Sequence, residues 1–412
     1  MPEFFNVMPP QQALQTLLAR LDVSLPRASE CISLTVSLGR ATSTDIISPE
    51  TLPAFPRSTV DGFSVNAIDT FGATPGLPSY LEVIGEVSMG KPPSISLNTG
   101  QTAVTYTGGM LADRADAVVM IEDTQQIDEH TVEVLRPVAI GENMVHPGED
   151  VHAGDTIIAQ GKIIRPQDIG ALQSVGINHI RATKKPRVAL LSMGDEVISS
   201  DQTPIVGQIR DINTHTISAM ISQSGGIPIP LGIARDDFDE QLKMAKSGLS
   251  EADILVFSAG SSVSIRDITA DIINALGDPG VIIHGLSLKP GKPAIIGIID
   301  QKPVFGLPGN PVSAMIVFDL LIRPTIYQLA GCKFPPEPST VIAQLGANIP
   351  SAPGREDYVP VKLENSDVSI IAHPILGKSN LIYTLARADG LIQVPIDKSG
   401  LYEGDFVKVR LF

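Results

Sequence analysis

Aromatic residues are scarce in this chain of 412 residues, and tryptophan is absent. Phe and Tyr together make up only 4% of the sequence. Proteins that bind single-stranded nucleic acid stack bases on aromatic side chains, so this composition disfavours that class of function. Cysteine is rarer than Phe and Tyr, since the chain contains only Cys31 and Cys332. Two cysteines do not make a disulfide framework, and we expect a reducing compartment.

Several motifs that carry chemistry in other proteins are also missing. None of the seven histidines has the H-x-x-x-H spacing typical of zinc sites. The sequence lacks G-x-S-x-G and G-x-x-x-x-G-K-[ST], which disfavours a serine hydrolase and a P-loop protein. The N-terminus has no basic region followed by an apolar stretch, and no uninterrupted apolar run approaches about 18 residues. We therefore expect a soluble, cytoplasmic protein without a membrane partner.

Positive charge is in deficit, with 30 Lys and Arg against 45 Asp and Glu and a net charge of −15. A field of this sign repels nucleic acid and anionic membranes, so neither is an expected partner. An anionic ligand would need a local group of backbone N–H donors, lysines or a metal ion to offset this field.

The chain is too long for one hydrophobic core, so we expect several domains. Apolar residues at helical spacing predict an amphipathic helix over 10–22. From about 50 to 140, short β-branched runs are broken by Gly, Pro and Asp, as in a small β-rich domain. Residues 148–176 predict a strand pair and a helix that begins near Pro166, whereas 333–412 return to short strands.

Apolar strands alternate with helices between residues 187 and 330. This alternation predicts a parallel β-sheet that is covered by helices on both faces. Binding sites in such folds lie beyond the carboxyl ends of the strands. The loops that follow these strands are therefore the first place to look for chemistry.

The stretch "SAGSS" follows one predicted strand and precedes a predicted helix. It contains Ser258, Gly260, Ser261 and Ser262. Small residues let backbone N–H groups approach an anion, and the hydroxyl groups add further donors. A serine-rich cap of the helix is an equally good interpretation when the motif is taken alone.

Two proline-rich turns follow later in the same region. In "KPGKP", Lys289 and Lys292 lie on a turn in which prolines fix φ, a rigid presentation of positive charge to an anion. An exposed turn is the simpler alternative. In "LPGNP", Asn310 suits a helix N-cap and Gly309 permits close approach of a ligand. An ordinary capped helix start explains this second motif equally well.

Acidic residues are scattered over the predicted loops rather than concentrated in one motif. Asp61 and Asp150 lie in the β-rich part, and Glu196, Asp236 and Asp267 follow strands of the α/β region. As a group they would suit a hard cation such as Mg²⁺, which prefers oxygen ligands. Each acid taken alone is more simply a turn cap.

Nine stretches in one order resemble the MoeA family of molybdopterin molybdenumtransferases, which is related to the E domains of gephyrin and of its plant counterpart. The resemblance runs from about residue 8 to residue 412. The stretches are "FPRSTVDGFSV", "TGGMLADRADAVVMIEDT", "GEDVHAGD", "PRVALLSMGDEV", "GQIRDIN", "SAGSSVSIRD", "KPGKP", "FGLPGNPVSAM" and "ARADGLIQVP".

The resemblance implies a multidomain protein of the α/β plus β class. Its expected parts are a linking domain (1–49 and 141–185), a β-rich domain (50–140), a MogA-like α/β domain (186–330) and a C-terminal β-barrel (331–412). It also implies a homodimer with an active cleft between the α/β domain of one subunit and the β-rich domain of the other. A molybdopterin adenylyltransferase would be the upstream partner.

The implied reaction inserts molybdate into adenylylated molybdopterin, with Mg²⁺-dependent release of AMP. By position in the motifs, the expected catalytic residues are Asp61, Asp150, Glu196, Asp236, Asp267 and Lys289. The expected metal ligands are Glu196, Asp236 and Asp267. The expected substrate-binding residues are Thr107, Ser258, Gly260, Ser261, Ser262, Lys289, Lys292, Pro308, Gly309, Asn310 and Pro311.

The chain departs from the family pattern in three places. The loop "SAGSSVS" has Ala259 and Ser264 where glycines are usual. Val145, His146 and Pro147 stand where the family has arginines, and a usual basic residue before "KPGKP" is absent near Gly285. Two alternatives therefore stay open: a tungstate-inserting paralogue, and a non-catalytic pterin-binding or scaffold protein that kept the fold. A pterin adenylyltransferase is a weaker third.

Overall fold

The computed structural model describes residues 7–21, 28–258, 263–367 and 369–412, with the side chains of 263–267 excepted. This part of the chain forms two compact units. The first unit comprises the described part of Met1–Thr44 together with Gln160–Arg165 and His179–Phe412. The second unit comprises Asp45–Ala159 and Pro166–Asn178. The boundaries of the four expected domains stay a prediction.

The α-helices are α1 (Pro10–Arg20), α2 (Pro166–Ser174), α3 (Asn213–Gln223), α4 (Phe238–Glu251), α5 (Val263–Leu276), α6 (Pro311–Val317), α7 (Arg323–Leu329) and α8 (Tyr383–Ala386). Short 3₁₀ turns lie at Leu34–Val36, Ala67–Thr70 and Ile121–Asp123. Helices α1, α2 and α6 begin with proline, whose missing N–H costs nothing in the first helical turn. The Asp237 carboxylate caps α4 by accepting a hydrogen bond from the Glu240 N–H at 2.8 Å.

The strands that precede the α/β region are β1 (Ser29–Ser33), β2 (Ile46–Ile47), β3 (Arg57–Ser58), β4 (Gly62–Val65), β5 (Ser79–Glu86), β6 (Gln101–Thr105), β7 (Ala117–Met120), β8 (Thr124–Gln126), β9 (Thr131–Val134), β10 (Met144–Val145), β11 (Thr156–Ile158) and β12 (His179–Thr183). The later strands are β13 (Arg187–Met193), β14 (Val197–Ile198), β15 (Ile209–Arg210), β16 (Ile227–Ala234), β17 (Ile254–Ser258), β18 (Pro279–His284), β19 (Leu288–Lys289), β20 (Ile295–Ile299), β21 (Lys302–Leu307), β22 (Thr340–Leu345), β23 (Ile349–Pro350), β24 (Glu356–Asn365), β25 (Ile370–Pro374), β26 (Gly390–Val394), β27 (Gly400–Leu401) and β28 (Phe406–Leu411).

The α/β region is built on a six-stranded sheet with the order β16-β13-β17-β21-β20-β18. Its central strands are mostly apolar because both of their faces are buried. Along β13, Val188 and Leu190 pack in the hydrophobic core on one face, and Ala189 and Leu191 pack in the core on the other. The strand–helix alternation therefore predicted this layered architecture correctly.

The prediction of a parallel sheet holds for only four of these six strands. Strands β16, β13, β17 and β21 are parallel, whereas β20 and β18 run antiparallel to their neighbours. A two-residue loop, Asp300 and Gln301, joins β20 to β21, and both residues have positive φ (48° and 65°). A connection this short can only join antiparallel strands, and the paired positive φ values are those of a type I′ turn.

Helices α6 and α7 are joined by a π-helical turn, Phe318–Ile322, into one long element. Within the described residues, this element, Pro311–Leu329, is long and apolar enough to cross a membrane by length and composition alone. However, 61% of its most apolar window is buried inside the fold. Its residues Phe318, Leu321 and Ile326 belong to the largest hydrophobic core of the first unit.

The C-terminal part of the first unit is a closed β-barrel, as the sequence led us to expect. Strands β24, β25, β22, β28 and β26 are neighbours in that order, and β26 pairs again with β24 to close the barrel. Inward residues such as Val361, Ile392 and Val409 form its core. Strand β19 of the "KPGKP" turn adds to this barrel by pairing with β24.

The second unit contains the predicted β-rich segment, 50–140, together with residues that were expected in the linking domain. Its main sheet has the order β7-β4-β6-β5-β9-β8. Phe63, Val65 and Val119 belong to the core on one face of this sheet. The unit also contains two short antiparallel strand pairs, β2 with β11 and β3 with β10. Helix α2 follows in the chain and packs against β11.

Candidate functional site

A cavity of about 370 Å³ opens where the parallel strands of the first unit end. We call it the strand-end cavity. Its polar lining comes from Ser192 at the end of β13, Ser258 at the end of β17, and the loops that follow. Strand β13 lies between β16 and β17, so the strand order of the sheet reverses its direction at β13. Ligands of doubly wound sheets bind at such a switch point.

Asn213 holds two of the strand ends together. Its side-chain nitrogen donates to the Ser258 hydroxyl at 2.8 Å and to the Gly309 carbonyl at 2.9 Å. The side chain is buried, and its Oδ1 has no hydrogen-bond partner among the described residues. The adjacent Asp211 fixes the start of α3, because its carboxylate accepts from the N–H and hydroxyl of Thr214. The strand-end cavity is therefore built on rigid elements.

Three acidic residues lie close to one another beside this cavity. Glu196 lines it, and Asp195 Oδ1 accepts a hydrogen bond from the Asp236 N–H at 3.1 Å. The side chain of Asp236 is largely exposed to solvent. Partial desolvation of its carboxyl, together with the negative charges of Asp195 and Glu196, raises the pKa of Asp236. A backbone hydrogen bond from Asp195 opposes this rise. Like charges held together in this way favour a nearby cation.

The expected metal triad is only partly within the described structure. Glu196 and Asp236 are near each other, whereas the side chain of Asp267 lies outside the described residues. Gly260, Ser261 and Ser262 of "SAGSS" lie outside them as well. Among the residues that the structure does describe, no group of three His, Cys, Asp or Glu side chains has a ready-made metal geometry. The ligand assignment stays a prediction.

A second cavity, of about 440 Å³, surrounds the "KPGKP" turn, and we call it the proline cavity. Lys289 and Lys292 line it, together with Ser313, Arg355 and Ser379. Two loops that the sequence singled out separately therefore share one cavity, because Pro308 and Asn310 of "LPGNP" line it too. Asn310 also lines the strand-end cavity, so the two cavities are adjacent.

A buried carboxylate holds the cations of the proline cavity in place. Asp357 is 3% exposed and lies opposite Lys289 in the β19–β24 pair. Its Oδ1 accepts from Arg355 Nε at 2.8 Å, and its Oδ2 is 3.6 Å from Lys289 Nζ. One negative charge thus orients two positive ones, which leaves local positive charge in an acidic protein.

Sequence reasoning missed Arg355, Asp357 and Ser379. They come from the C-terminal part of the chain, where the sequence predicted a β-barrel and no site residue. One feature could have drawn attention to Arg355 and Asp357: "GREDY" places charged residues directly before the apolar run 359–361 of a strand. A buried strand rarely contains a carboxylate that has no partner.

Asn310 occupies the predicted N-cap position but does not cap the helix with its side chain. Its φ and ψ are −66° and 123°, and α6 begins at Pro311 as expected. The side-chain nitrogen instead donates to the Ser379 hydroxyl at 2.9 Å. The Asn310 amide therefore links the "LPGNP" turn to the segment that contains Ser379. Asn310 lines both cavities, and Ser379 lines the proline cavity.

The remaining predicted site residues belong to the second unit. Asp61 Oδ1 accepts hydrogen bonds from the backbone N–H and the hydroxyl of Thr107, at 2.8 and 3.0 Å. The backbone bond, followed by the hydroxyl bond, holds the pKa of Asp61 below its usual range. The structure thus brings Asp61 and Thr107 together as an exposed, hydrogen-bonded pair. Asp150 lies in an exposed turn, where its N–H donates to the Leu52 carbonyl.

Replacing Thr107 with valine is expected to raise the pKa of Asp61 only part of the way to its ordinary value. The variant removes the hydroxyl donor but keeps the backbone N–H donor, which is the larger cause of the lowered pKa. An NMR titration of the Asp61 carboxyl carbon would measure the change. A return of the pKa to the ordinary value would show that the backbone bond is unimportant.

These observations define a class of protein that combines a β-rich unit, a doubly wound α/β domain with a strand-end cavity, and a C-terminal barrel. Three family models match the chain in that order. They are the MoeA N-terminal region (domains I and II) at residues 8–176, a probable molybdopterin binding domain at 189–328, and the MoeA C-terminal region (domain IV) at 343–412. The chain belongs to the MoeA family.

Individual relatives cover nearly the whole chain. A putative molybdopterin biosynthesis protein of Methanocaldococcus jannaschii is 33% identical, over 98% of both chains. The molybdopterin molybdenumtransferase of Bacillus subtilis is 29% identical over 93% of this chain and 90% of its own. Two crystal structures of the molybdopterin biosynthesis protein MoeA of Pyrococcus horikoshii match with TM-scores of 0.84 and 0.77, at 28% and 34% identity, over 98% of this chain and at least 99% of theirs. The resemblance inferred from nine motifs is thereby confirmed.

Proposed function

We propose that this chain is a molybdopterin molybdenumtransferase, which inserts molybdate into adenylylated molybdopterin and releases AMP. Its family membership supports a role in molybdenum cofactor biosynthesis. The observation that carries the specific reaction is the pair of adjacent cavities that share Asn310. The proline cavity carries the cationic side chains that an oxyanion needs, and the strand-end cavity, of about 370 Å³, has room for part of an organic ligand.

The proline cavity is proposed as the molybdate site. Lys289 and Arg355 supply positive charge, and Asp357 fixes their positions. Lys292, Ser313 and Ser379 also line the cavity and add polar atoms. Ammonium, guanidinium and hydroxyl donors around one space are what a tetrahedral dianion requires, and they offset the repulsion expected from a net charge of −15.

The strand-end cavity is proposed to hold the organic substrate. Asn213 and Ser258 line this cavity with polar side chains, and residues of the "LPGNP" turn line it as well. In this arrangement the reacting dithiolene would be held beside the oxyanion, so the protein contributes mainly by placement and by stabilising negative charge. Release of AMP breaks the phosphoanhydride bond, and a water molecule supplies the oxygen that completes the cleaved phosphate.

Mg²⁺ fits the acidic group beside this cavity. Carboxylates are the ligands that Mg²⁺ prefers, and Asp195, Glu196 and Asp236 lie close enough together that the charges of the first two raise the pKa of Asp236. Glu196 and Asp236 are the described residues that would hold the ion, with Asp267 as the third predicted ligand. When bound, the ion would neutralise charge on the phosphoanhydride.

Replacing Asp236 with asparagine is expected to weaken Mg²⁺ binding and to reduce its pH dependence. In the wild type, Mg²⁺ affinity should rise with pH through the raised pKa of Asp236, because only the ionised carboxylate binds the ion. A raised folded-state pKa stabilises the protein at low pH, and this contribution is lost as the pH rises through that pKa. Asp236→Asn should therefore not reduce stability at neutral pH. Calorimetric Mg²⁺ titrations at several pH values would test both points.

Asp239→Asn is the matched control, since Asp239 is an exposed acid in the first turn of α4. It should leave Mg²⁺ affinity almost unchanged. Equal weakening by both variants would show that the ion responds only to overall negative charge, and would contradict the proposed ligand role of Asp236.

The reaction itself is tested with the purified full-length chain, Mg²⁺, molybdate and adenylylated molybdopterin. We expect release of AMP and formation of a product that activates a molybdenum-free apoenzyme. A parallel reaction with tungstate tests the paralogue alternative. Binding of the adenylylated substrate without AMP release, with either oxyanion, would overturn the proposal in favour of the scaffold alternative.

We further propose a homodimer, a cytoplasmic location, and a molybdopterin adenylyltransferase as the supplier of the substrate. These proposals are supported by the family resemblance of the whole chain. Light scattering at several protein concentrations would establish the oligomeric state.

A further inference from the structure

A row of aliphatic side chains is exposed next to the strand-end cavity. Ile205, Val206, Ile209 and Ile212 fall within eight residues and are 71%, 105%, 57% and 37% exposed. Single exposed aliphatic residues are common on protein surfaces, but a cluster usually marks a contact surface. The fold does not use these side chains for its core, so their apolar character needs another explanation.

Only two of the four side chains reach the cavity. Ile209 and Ile212 line it, whereas Ile205 and Val206 do not. The backbone between the two lining residues is firmly held, because the Ile209 N–H donates to the Glu196 carbonyl and the Asp211 N–H donates to the Ile198 carbonyl. Strand β15 also pairs with β14. The two isoleucines are therefore presented to the cavity by a fixed piece of backbone.

The cavity they line is polar on its other side. Asn213, Ser258 and Glu196 provide hydrogen-bonding and charged groups, and Met193 and Val197 continue the apolar wall. The described part of its lining contains no aromatic residue. A cavity with one apolar wall and one polar wall suits a flat ring whose face is apolar and whose edge carries donors and acceptors.

We propose that Ile209 and Ile212 are specificity-determining residues that pack against the face of a planar heteroaromatic ring of the substrate. This inference rests on the proposed function, because the adenylylated substrate supplies two such rings, an adenine and a pterin. Aliphatic packing replaces the aromatic stacking that the sequence does not provide here. The two side chains contact substrate through their apolar surface and take no part in bond making or breaking.

The test is a steady-state comparison of Ile209→Ser and Ile212→Ser with the wild-type chain in the AMP-release reaction. We expect each substitution to raise KM by about tenfold with kcat almost unchanged, because one apolar contact made equally in ground and transition states is lost. Ile205→Ser and Val206→Ser are the matched controls and should leave KM unchanged. All four positions are solvent-exposed, so thermal unfolding temperatures should not change.

The ring is identified by competition. AMP carries only the adenine ring and neopterin only the pterin ring, so the inhibition constant of one of them should rise in the two cavity variants. Unchanged KM in both cavity variants, or an equal rise in the Ile205 and Val206 variants, overturns the inference while leaving the proposed reaction intact. Absence of AMP release by the wild type would instead overturn the proposed function, and this inference with it.

Discussion

Replacing Lys289 with glutamine is expected to reduce AMP release by about 100-fold or more, the usual effect of removing one preorganised electrostatic contact to a developing charge. Lys289 is one of two cations that Asp357 orients in the proline cavity, at 3.6 Å from Nζ to Oδ2. Without it, Arg355 alone must balance Asp357, and Lys292 is the other cation that still lines the cavity for the oxyanion. The effect should fall on molybdate-dependent turnover, measured as AMP release over a range of molybdate concentrations.

Lys243→Gln is the control for this experiment. Lys243 is exposed on α4 and lines neither cavity, yet its replacement changes the net charge of the protein by the same amount. It should alter turnover by less than about twofold. Lys289→Arg should retain part of the activity, since it keeps the charge but not the compact ammonium geometry. Turnover of Lys289→Gln close to that of the wild type would remove the proline cavity from the mechanism.

Replacing Gly62 with alanine is expected to destabilise the second unit by more than about 4 kcal/mol, at the upper end of single-residue effects. Gly62 lies on β4 between β6 and β7, next to Asp61. A Cβ atom added there would stand 1.9 Å from the carbonyl oxygen of Val119. This carbonyl oxygen belongs to the backbone of β7, so it can move away from a Cβ atom at residue 62 only if the pairing of β4 with β7 opens. Chemical denaturation, followed by circular dichroism, would measure the loss.

Gly76→Ala is the control within the same unit. A Cβ at Gly76 would meet nothing within 4 Å. Its stability should therefore stay within about 0.5 kcal/mol of the wild type. If Gly62→Ala were equally mild, the close approach of β4 and β7 described here would be wrong. If it is as severe as expected, the hydrogen bonds from Thr107 to Asp61 should be lost with it.

The layered α/β architecture was predictable because it follows from local rules. Strand β13 contains the continuous apolar run 188–191, and such runs that alternate with helices indicate a sheet that is buried on both faces. Helix starts were predictable for the same reason, since Pro166 and Pro311 restrict the backbone at their own positions. The antiparallel edge was missed because the turn at Asp300 and Gln301 lacks glycine, although both residues adopt positive φ.

The candidate site was only partly predictable. The motifs with Lys289, Pro308 and Asn310 were found because proline and glycine mark turns in the sequence itself, and the neighbouring lysine and asparagine then suggest polar contacts. Their meeting in one cavity was not visible, because the cavity depends on how strands distant in sequence end side by side. The same holds for Asn213, whose amide joins two strand ends at 2.8 and 2.9 Å.

Composition alone determined that this acidic, aromatic-poor chain needs a local cationic site for an anionic ligand, and motif order determined its family. Only the tertiary structure decided where that site lies. It placed Arg355 and buried Asp357 from the C-terminal barrel against Lys289 of the α/β region, through the pairing of β19 with β24. The physical reason is that sequence patterns report local backbone preferences, whereas charge compensation is settled by whichever groups folding brings within a few ångströms.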